Sequence, residues 1–269
     1  MEANVTQGPP LGDSAWARAF ALLYDPFTWL GERAGLRAHR KALLSRAHGR
    51  TLEIGSGTGL NLPHYPDNLD DLILAEPDAA MRSRLEKRLS RSGRGTRLVN
   101  APAERLPFPD GSVDTVVSTL VLCTVDAPDA ALQEIARVLR PGGQLLFLEH
   151  VRSESPTLAR WQDRLAGPWR RFAQGCRCNR ATAELIVTCG LELEQTRQTS
   201  WRGMPPIVRP LIVGRATVHG RAAGLRRSSA KPWAACHVDR TGGDDDRQYE
   251  PEHPGIAVPG AGLLRMRPS

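Results

Sequence analysis

The chain has 269 residues, of which 41% are hydrophobic and 24% are charged. These values are typical of one sizeable globular domain with extra segments, and they exclude a collagen-like or disulfide-stapled chain. No stretch approaches the roughly 18 to 20 consecutive apolar residues of a membrane-spanning helix, and the first residues lack the pattern of a signal peptide. We therefore expect a soluble, cytoplasmic protein.

The net charge of +7 comes mainly from arginine, since only three of the 36 basic residues are lysines. The densest basic stretch, residues 152–180, holds seven arginines and two acidic residues, and a solvated helical face is favoured there over a nucleic-acid surface. Five cysteines without a signal peptide predict reduced thiols. Cys176 and Cys178 resemble half of a metal site, but no second pair or nearby histidine completes four ligands, so no metal is expected.

Residues 1–48 form the first region and are predicted to be a helical cap. Trp16, Phe20 and Leu23 share one helical face, which predicts a pair of helices packed over the main domain. Two alternatives remain open for this region. It could close over an apolar substrate as a lid, or lie at a membrane surface as an interfacial helix.

Residues 49–219 form the predicted main domain, in which short apolar strands alternate with helices. Helices are predicted at 79–90 and 127–139, the second stopped by Pro141-Gly142-Gly143. Several strands are too uniformly apolar for a one-sided sheet, so they should be buried on both faces. This alternation predicts a doubly wound α/β fold with right-handed crossovers. The strands are predicted at 51–54, 72–75, 97–99, 113–120 and 144–148.

The end of the domain is predicted to contain one helix and two further strands. The helix runs from Ala181 to Cys189 and is capped by Gly190. Strands at 191–196 and 207–218 should then close the sheet, and Pro205, Pro206 and Pro210 should keep the second strand from full pairing until Leu211. Residues 220–269 lack any sustained period and are predicted to be a disordered tail.

The strongest functional signal is Glu53-Ile-Gly55-Ser56-Gly57-Thr58-Gly59, directly after the first strand. Glycines allow a sharp turn and close approach of the backbone to a ligand. The spacing does not match a dinucleotide loop, and the Gly-Lys-Ser/Thr of a Walker loop is missing. The loop therefore favours a compact nucleoside-like ligand over an anion alone.

A carboxylate follows the second strand. Glu76 and Pro77 come 17 and 18 residues after Gly59, at a strand tip beside the glycine loop. A carboxylate there can accept hydrogen bonds from both hydroxyls of a ribose. The segment from Ala103 to Gly111 follows the third strand and could line an adenine pocket.

These motifs, with Ala103-Glu104-x-Leu106-Pro107-Phe108 and Leu139-Arg140-Pro141-Gly142-Gly143, resemble class I S-adenosylmethionine-dependent methyltransferases of type 11 over residues 50–150. A narrower resemblance, over residues 24–218, is to the methyltransferase-like 7 thiol S-methyltransferases. It rests on segments that include Thr119 to Val125, Glu149-His150-Val151, Trp161-Gln162 and Val213 to Ala216. The resemblance implies a Rossmann-like, seven-stranded, mostly parallel sheet with N-terminal helices.

The resemblance also implies S-adenosyl-L-methionine as cofactor and assigns roles around it. The loop from Glu53 through Gly59 would hold the methionine moiety, and Glu76, with Pro77 beside it, the ribose. Ala103 and Glu104 would lie by the adenine, and Thr119 and Leu120 near the donor. Pro102 stands where many relatives have Asp or Asn, so the adenine amino group needs another partner.

Methyl transfer from a sulfonium requires alignment in a dry pocket more than acid–base chemistry. For a thiol acceptor, with a free pKa near 8.5, a nearby base or positive charge would raise the thiolate fraction. His150, at the tip of the fifth strand, is the candidate catalytic residue, with a purely structural histidine as the alternative. Cys123 and Cys176 are predicted to be pocket or core thiols. Trp16, Phe20, Trp161 and Trp169 are predicted to form an apolar wall of the acceptor pocket.

The predicted function is methyl transfer to a small lipophilic acceptor, first a thiol and second a quinone or lipid carbon or oxygen. A methyltransferase or adaptor that binds nucleic acid is disfavoured, since residues 152–180 lack the aromatic interleaving of a known RNA module. A catalytically silent donor-binding protein is a third hypothesis. Peripheral membrane contact remains open, and the sequence does not indicate the oligomeric state.

Overall fold

A computed structural model describes residues 14–218, which form a single sheet flanked by helices. The strand order is β3-β2-β1-β4-β5-β7-β6. The first five strands pair in parallel, and β7 lies antiparallel between β5 and β6. The predicted doubly wound α/β sheet is confirmed. The strands are β1 (Arg50–Ile54), β2 (Asp71–Ala75), β3 (Arg97–Val99), β4 (Val113–Thr119), β5 (Leu139–His150), β6 (Leu191–Ser200) and β7 (Pro210–Val218).

Buried aliphatic side chains explain why the central strands form. Every residue of β1 and β2 after the first is buried, and β4 is buried from Val113 to Ser118. Strands covered on both faces by helices have this uniform pattern. The helices are α1 (Ala15–Gly31), α2 (Arg37–Leu44), α3 (Ala79–Ser92), α4 (Pro128–Val138), α5 (Pro156–Phe172) and α6 (Thr182–Thr188).

Two helices occupy the N-terminal region. Ser14 caps α1 by accepting a hydrogen bond from the backbone N–H of Ala17 at 3.0 Å. A wider helical turn at Glu32–Leu36 joins α1 to α2, and Gly35 breaks the helical geometry there with φ of 138°. The carboxylate of Asp25 in α1 accepts from Arg88 of α3 at 2.7 Å, which holds the N-terminal helices against the main domain.

The C-terminal strands differ in detail from the prediction. The last strand does not start at residue 207, because Pro206–Val208 form a 3-10 turn and β7 begins at Pro210, which agrees with the predicted delay of full pairing until Leu211. Two consecutive prolines remove backbone donors and favour the turn. The strand predicted at 191–196 extends to Ser200, and β5 begins at Leu139 rather than 144. Gly190 ends α6 with φ of 84°, as predicted.

Gln162 ties α5 to the end of the sheet. Its side chain is fully buried, and Nε2 donates to the carbonyls of Val151, Cys178 and Ile207 at 3.1, 2.9 and 2.9 Å. Its Oε1 accepts from the backbone N–H of Ser153 at 2.8 Å. One side chain therefore satisfies four backbone groups from three segments.

The predicted tail, residues 220–269, lies outside the described residues. No helix within residues 14–218 combines the length and apolar character that a membrane span requires.

Candidate active site

The three glycines after β1 all have positive φ, but their surroundings differ. A Cβ at Gly55 would lie 2.7 Å from Val121, and one at Gly59 would lie 2.6 Å from Leu85. At Gly57, φ is 56° and the closest atom to a Cβ would be the Gly55 carbonyl oxygen at 4.0 Å. The outer glycines therefore allow close packing of the loop, and Gly57 leaves open space above it.

Glu76 closes this loop from the tip of β2. Its Oε2 accepts from the backbone N–H of Gly57 at 2.7 Å, and Oε1 accepts from that of Asp78 at 2.8 Å. Burial raises the pKa of Glu76, and these two hydrogen bonds partly offset the rise. A carboxylate oxygen has two lone-pair directions, so both oxygens can still accept from hydroxyl groups of a ligand.

A cavity of about 980 Å³ extends from the glycine loop to the ends of β4 and β5. This volume lies at the upper end of ordinary small-molecule sites. Helices α1 and α5 cover the cavity on the side opposite the strand ends. Its wall includes Phe20, Tyr24, Thr28, Gly55, Gly57, Glu76, Pro77, Asn100, Ala103, Glu104, Thr119, Leu120, Cys123, His150, Trp169, Cys176 and Trp201.

Four of the predicted cofactor residues are not part of this wall among the described residues: Glu53, Ser56, Thr58 and Gly59. Ser56 donates its hydroxyl to the Glu53 carbonyl at 3.3 Å, and Thr58 donates to the Asp25 carboxylate at 2.5 Å. Their side chains therefore support the loop from below and from the N-terminal helix.

Glu53 lies beneath the loop in a buried polar network. Asn61 donates to Oε1 at 2.8 Å, and the Tyr65 hydroxyl donates to Oε2 at 2.7 Å. Asn61 also accepts from Arg40 at 2.8 Å, and Arg40 pairs with Glu32 at 3.0 Å. Burial raises the pKa of Glu53 to about 7, and the bonds from Tyr65 and Asn61 oppose this rise. The network sets the position of the loop above it.

The loop after β4 is held by Glu149 on β5. This buried carboxylate accepts from the Ser118 hydroxyl at 2.7 Å and from the backbone N–H groups of Val121 and Cys123 at 3.0 and 3.2 Å. Leu120 has φ of 60°, which is uncommon for a residue with a side chain. Glu149 thus fixes a strained turn at the cavity wall.

Asn100 and Arg82 are wall residues that the sequence did not single out. Asn100 directly follows β3, and its Oδ1 accepts from Arg82 at 3.2 Å. Pro102, two residues later in this wall, has no side-chain donor or acceptor, so Asn100 is the nearby residue that brings a side-chain amide to it. The position of Asn100 directly after a predicted strand is the sequence feature that could have identified it.

His150 lies at the far end of the cavity, only 3% exposed, with its ring centroid 5.5 Å from that of Trp201. Burial lowers the pKa of His150 to about 4, although the Pro210 and Val208 carbonyls oppose the shift. The ring is therefore neutral at pH 7. Of the two predicted roles, a hydrogen-bond acceptor or base fits this state and a local positive charge does not.

The predicted apolar wall is partly wrong. Phe20 and Trp169 line the cavity, but Trp161 is 51% exposed and Trp16 packs on Phe172 with ring centroids 5.7 Å apart. Helix α5 turns Trp161 outward because its neighbour Gln162 takes the inward position. Trp201 is a wall residue that the sequence analysis missed.

Comparisons with known proteins identify methyltransferases as relatives of this chain. The family described as "Methyltransferase domain" matches residues 52–147. Human thiol S-methyltransferase TMT1B is 35% identical over 191 residues, covering 66% of this chain and 76% of that protein. The quinone-biosynthesis C-methyltransferase UbiE of Hahella chejuensis is 37% identical over 123 residues, covering 44% of this chain and 49% of that enzyme.

A solved structure supports the fold. A SAM-dependent methyltransferase from Thermotoga maritima superposes with a TM-score of 0.56 and 23% identity, over 75% of this chain and 97% of that one. The relatives of this chain are thus methyltransferases, and its structure has the glycine loop, the acid at the next strand tip and a cavity above them. The chain belongs to the S-adenosylmethionine-dependent methyltransferases, in the family that includes the thiol S-methyltransferases TMT1A and TMT1B.

Proposed function

We propose that this enzyme transfers a methyl group from S-adenosyl-L-methionine to a small lipophilic thiol. The observation that carries the proposal is one continuous cavity, with Gly57 and Glu76 at one end and His150, Trp169 and Trp201 at the other. The first end suits a nucleoside with hydroxyl groups. The second end is buried and largely apolar. Its polar groups are the His150 imidazole and the Cys123 and Cys176 thiols, which suit a sulfur acceptor.

The donor end fits S-adenosylmethionine because its features match separate parts of that molecule. Open space over Gly57 permits close approach, and the Glu76 carboxylate suits ribose hydroxyls. When bound, the cofactor supplies an electrophilic methyl group on a sulfonium. Ala103 and Glu104 of the cavity wall would lie by the adenine, and Thr119 and Leu120 near the donor methyl group.

The chain's own contribution is then alignment and exclusion of water. Helices α1 and α5 cover the cavity, so a bound acceptor leaves bulk water before it reacts. A neutral His150 can accept a hydrogen bond from a thiol S–H and orient the sulfur. Proximity and orientation supply much of the acceleration for a displacement of this kind.

One experiment distinguishes the two classes of acceptor. Purified protein is incubated with labelled S-adenosylmethionine and either an alkyl thiol or a quinol precursor. We expect label in the thioether. Label in the quinol product alone would reject the thiol assignment and support the alternative C- or O-methyltransferase, which the UbiE similarity favours. Donor binding without methylation of any acceptor would support a silent binding protein.

The structure also bears on the nucleic-acid alternative. Four arginines in residues 152–180 already have partners: Arg152 pairs with Asp163, Arg170 and Arg177 with Asp126 at 3.4 Å, and Arg180 with the Val125 carbonyl at 3.0 Å. These contacts support a structural role for the basic segment. RNA binding that stays tight as salt concentration rises would contradict this proposal.

Peripheral membrane contact is a further proposal. Leu22, Leu23, Trp29 and Leu30 of α1 are 55–62% exposed, and Trp161 of α5 is also exposed. Aromatic and aliphatic side chains of this kind, interspersed with arginines, are typical of interfacial helices. Co-sedimentation with anionic vesicles, lost in a Trp29→Ala and Leu30→Ala double variant, tests it.

Three cysteines of the described residues, Cys123, Cys176 and Cys178, are buried free thiols. Free thiols are typical of a reducing compartment, which supports our proposal of a cytoplasmic location.

A further inference from the structure

Three soft ligand groups meet in the cavity wall at its acceptor end. The sulfur atoms of Cys123 and Cys176 and one ring nitrogen of His150 all lie within 4.8 Å of one another. The three residues are 1, 7 and 3% exposed. The Nδ1 atom of His150 is buried and has no hydrogen-bond partner among residues 14–218. Buried polar atoms normally have partners, so this cluster requires an explanation.

Backbone contacts outside the cluster hold two of the three groups in place. Glu149 accepts from the Cys123 backbone N–H at 3.2 Å, and the Cys123 carbonyl accepts from Arg177 at 2.8 Å. Gly175, with φ of 98°, lets the turn approach Thr124 so closely that a Cβ would lie 3.0 Å from the Thr124 carbonyl oxygen. His150 is the last residue of β5. The backbone therefore brings the three ligand groups together, and the Cys123 and Cys176 thiols also interact with each other.

We propose that Cys123, His150 and Cys176 bind a zinc-type divalent metal ion with one coordination position open to the cavity. Two thiolates and an imidazole are a soft ligand set that favours zinc over magnesium or calcium. Three protein ligands and one open position are typical of catalytic rather than structural zinc. Sulfur atoms in a tetrahedral zinc site lie about 3.8 Å apart, so the side chains need to close by only about 1 Å.

The charges around the cluster are compatible with the ion. Binding releases one proton from each cysteine, and the two thiolates neutralise the metal's charge. Glu149 and Arg180 lie close enough to interact electrostatically with both thiols. Their opposite charges offset each other, and Arg180 is already engaged by the Leu122 and Val125 carbonyls.

The open position gives the metal a role that rests on the proposed function. When the ion is bound, the free ring nitrogen of His150 is a metal ligand, and the ion replaces the hydrogen bond by which the metal-free ring would orient the acceptor. An acceptor thiol that binds at the open position loses its proton to solvent and becomes a metal-bound thiolate. Its lone pair then forms the new bond to the methyl carbon, and the bond between that carbon and the donor sulfur breaks. The electron pair of the broken bond stays on the donor sulfur, and the cofactor leaves as S-adenosylhomocysteine. The product thioether is a weaker ligand and dissociates.

The first test is metal binding by the full chain, independent of activity. Protein treated with a chelator under reducing conditions is titrated with Co²⁺, and Zn²⁺ affinity is measured against a chromophoric chelator. We expect one Co²⁺ per chain with a thiolate-to-cobalt charge-transfer band. Cys123→Ser and Cys176→Ser should each weaken Zn²⁺ binding at least about 100-fold. The matched control Cys178→Ala removes a buried thiol two residues from Cys176 and should leave affinity within about twofold.

The second test asks whether the open position accepts a thiol. Adding an alkyl thiol to the cobalt protein should strengthen and shift the charge-transfer band. A folded wild-type chain without the band, or a cysteine-to-serine variant with wild-type affinity, would overturn the metal site. If a variant does not fold, the wild-type cobalt spectrum still decides. An oxidised Cys123–Cys176 pair that persists under reduction would also overturn it.

Activity then separates this inference from the proposed function. Thiol methylation at full rate in metal-free protein would refute the metal's role and leave the thiol methyltransferase intact. A zinc-bound protein that methylates only a quinol would refute the thiol assignment, while the metal site would stand on its spectrum.

Discussion

Replacing Gly57 with alanine tests the placement of the donor directly. Gly57 has φ of 56°, and an alanine in this left-handed conformation costs about 1 to 2 kcal/mol of stability. The strain is present with or without ligand, so it cancels in the dissociation constant. The added Cβ meets no protein atom closer than 4.0 Å, so it projects into the space assigned to the donor.

We therefore expect Gly57→Ala to weaken S-adenosylhomocysteine binding at least tenfold, or about 1.4 kcal/mol, because the ligand must move away from the loop. The matched control is Gly93→Ala. Gly93 has φ of 65° with nothing within 4 Å of a Cβ, and it ends α3 away from the cavity wall. It should lose similar stability and keep wild-type affinity.

Isothermal calorimetry measures the affinities, and denaturant unfolding measures stability in the absence of ligand. A folded Gly57→Ala variant with wild-type affinity for S-adenosylhomocysteine would refute the reasoning, since the donor could not then lie against this loop. Equal losses of affinity in both variants would show that strain, not contact, was responsible.

Three further predictions concern stability. The pKa of Glu53 rises from 4.5 to about 7 on folding, so the folded state holds its proton more tightly and wild-type stability falls between pH 4.5 and 7. Glu53→Gln should remove up to about 3 kcal/mol of that fall, and identical pH profiles of unfolding free energy would contradict it. Gln162→Leu leaves buried carbonyls without donors and should cost about 3 kcal/mol, whereas a loss under 1 kcal/mol in urea unfolding would be inconsistent with these bonds. In Gly214→Ala the Cβ would lie 2.4 Å from the Gln195 carbonyl oxygen, so the melting temperature should drop clearly, and an unchanged value would show that β6 can shift.

Much of the sheet could be predicted from local patterns. Strands β1 to β4 lie within one residue of their predicted bounds, because each is a short apolar run bounded by glycine, proline or charged residues. Helix α3 continues two residues past the prediction to Ser92, where Gly93 adopts the left-handed conformation that ends it. The glycine loop and Glu76 were found for the same reason, since both follow strand ends.

The acceptor end of the cavity could not be predicted in this way. Trp161 was predicted to face the cavity and faces solvent, because the contacts of Gln162 determine the rotation of α5. This outcome depends on contacts with distant segments.

Local sequence by itself determined the alternation of strands and helices, the glycine bend after β1 and the acid after β2, because backbone preferences and burial patterns act over a few residues. Only the tertiary structure decided that Gly57 faces open space while Glu53 lies beneath it, and that Cys123, His150 and Cys176 meet. Cys123 follows β4, His150 ends β5, and Cys176 follows α5. Their proximity depends on how the layers pack, which no short stretch of sequence encodes.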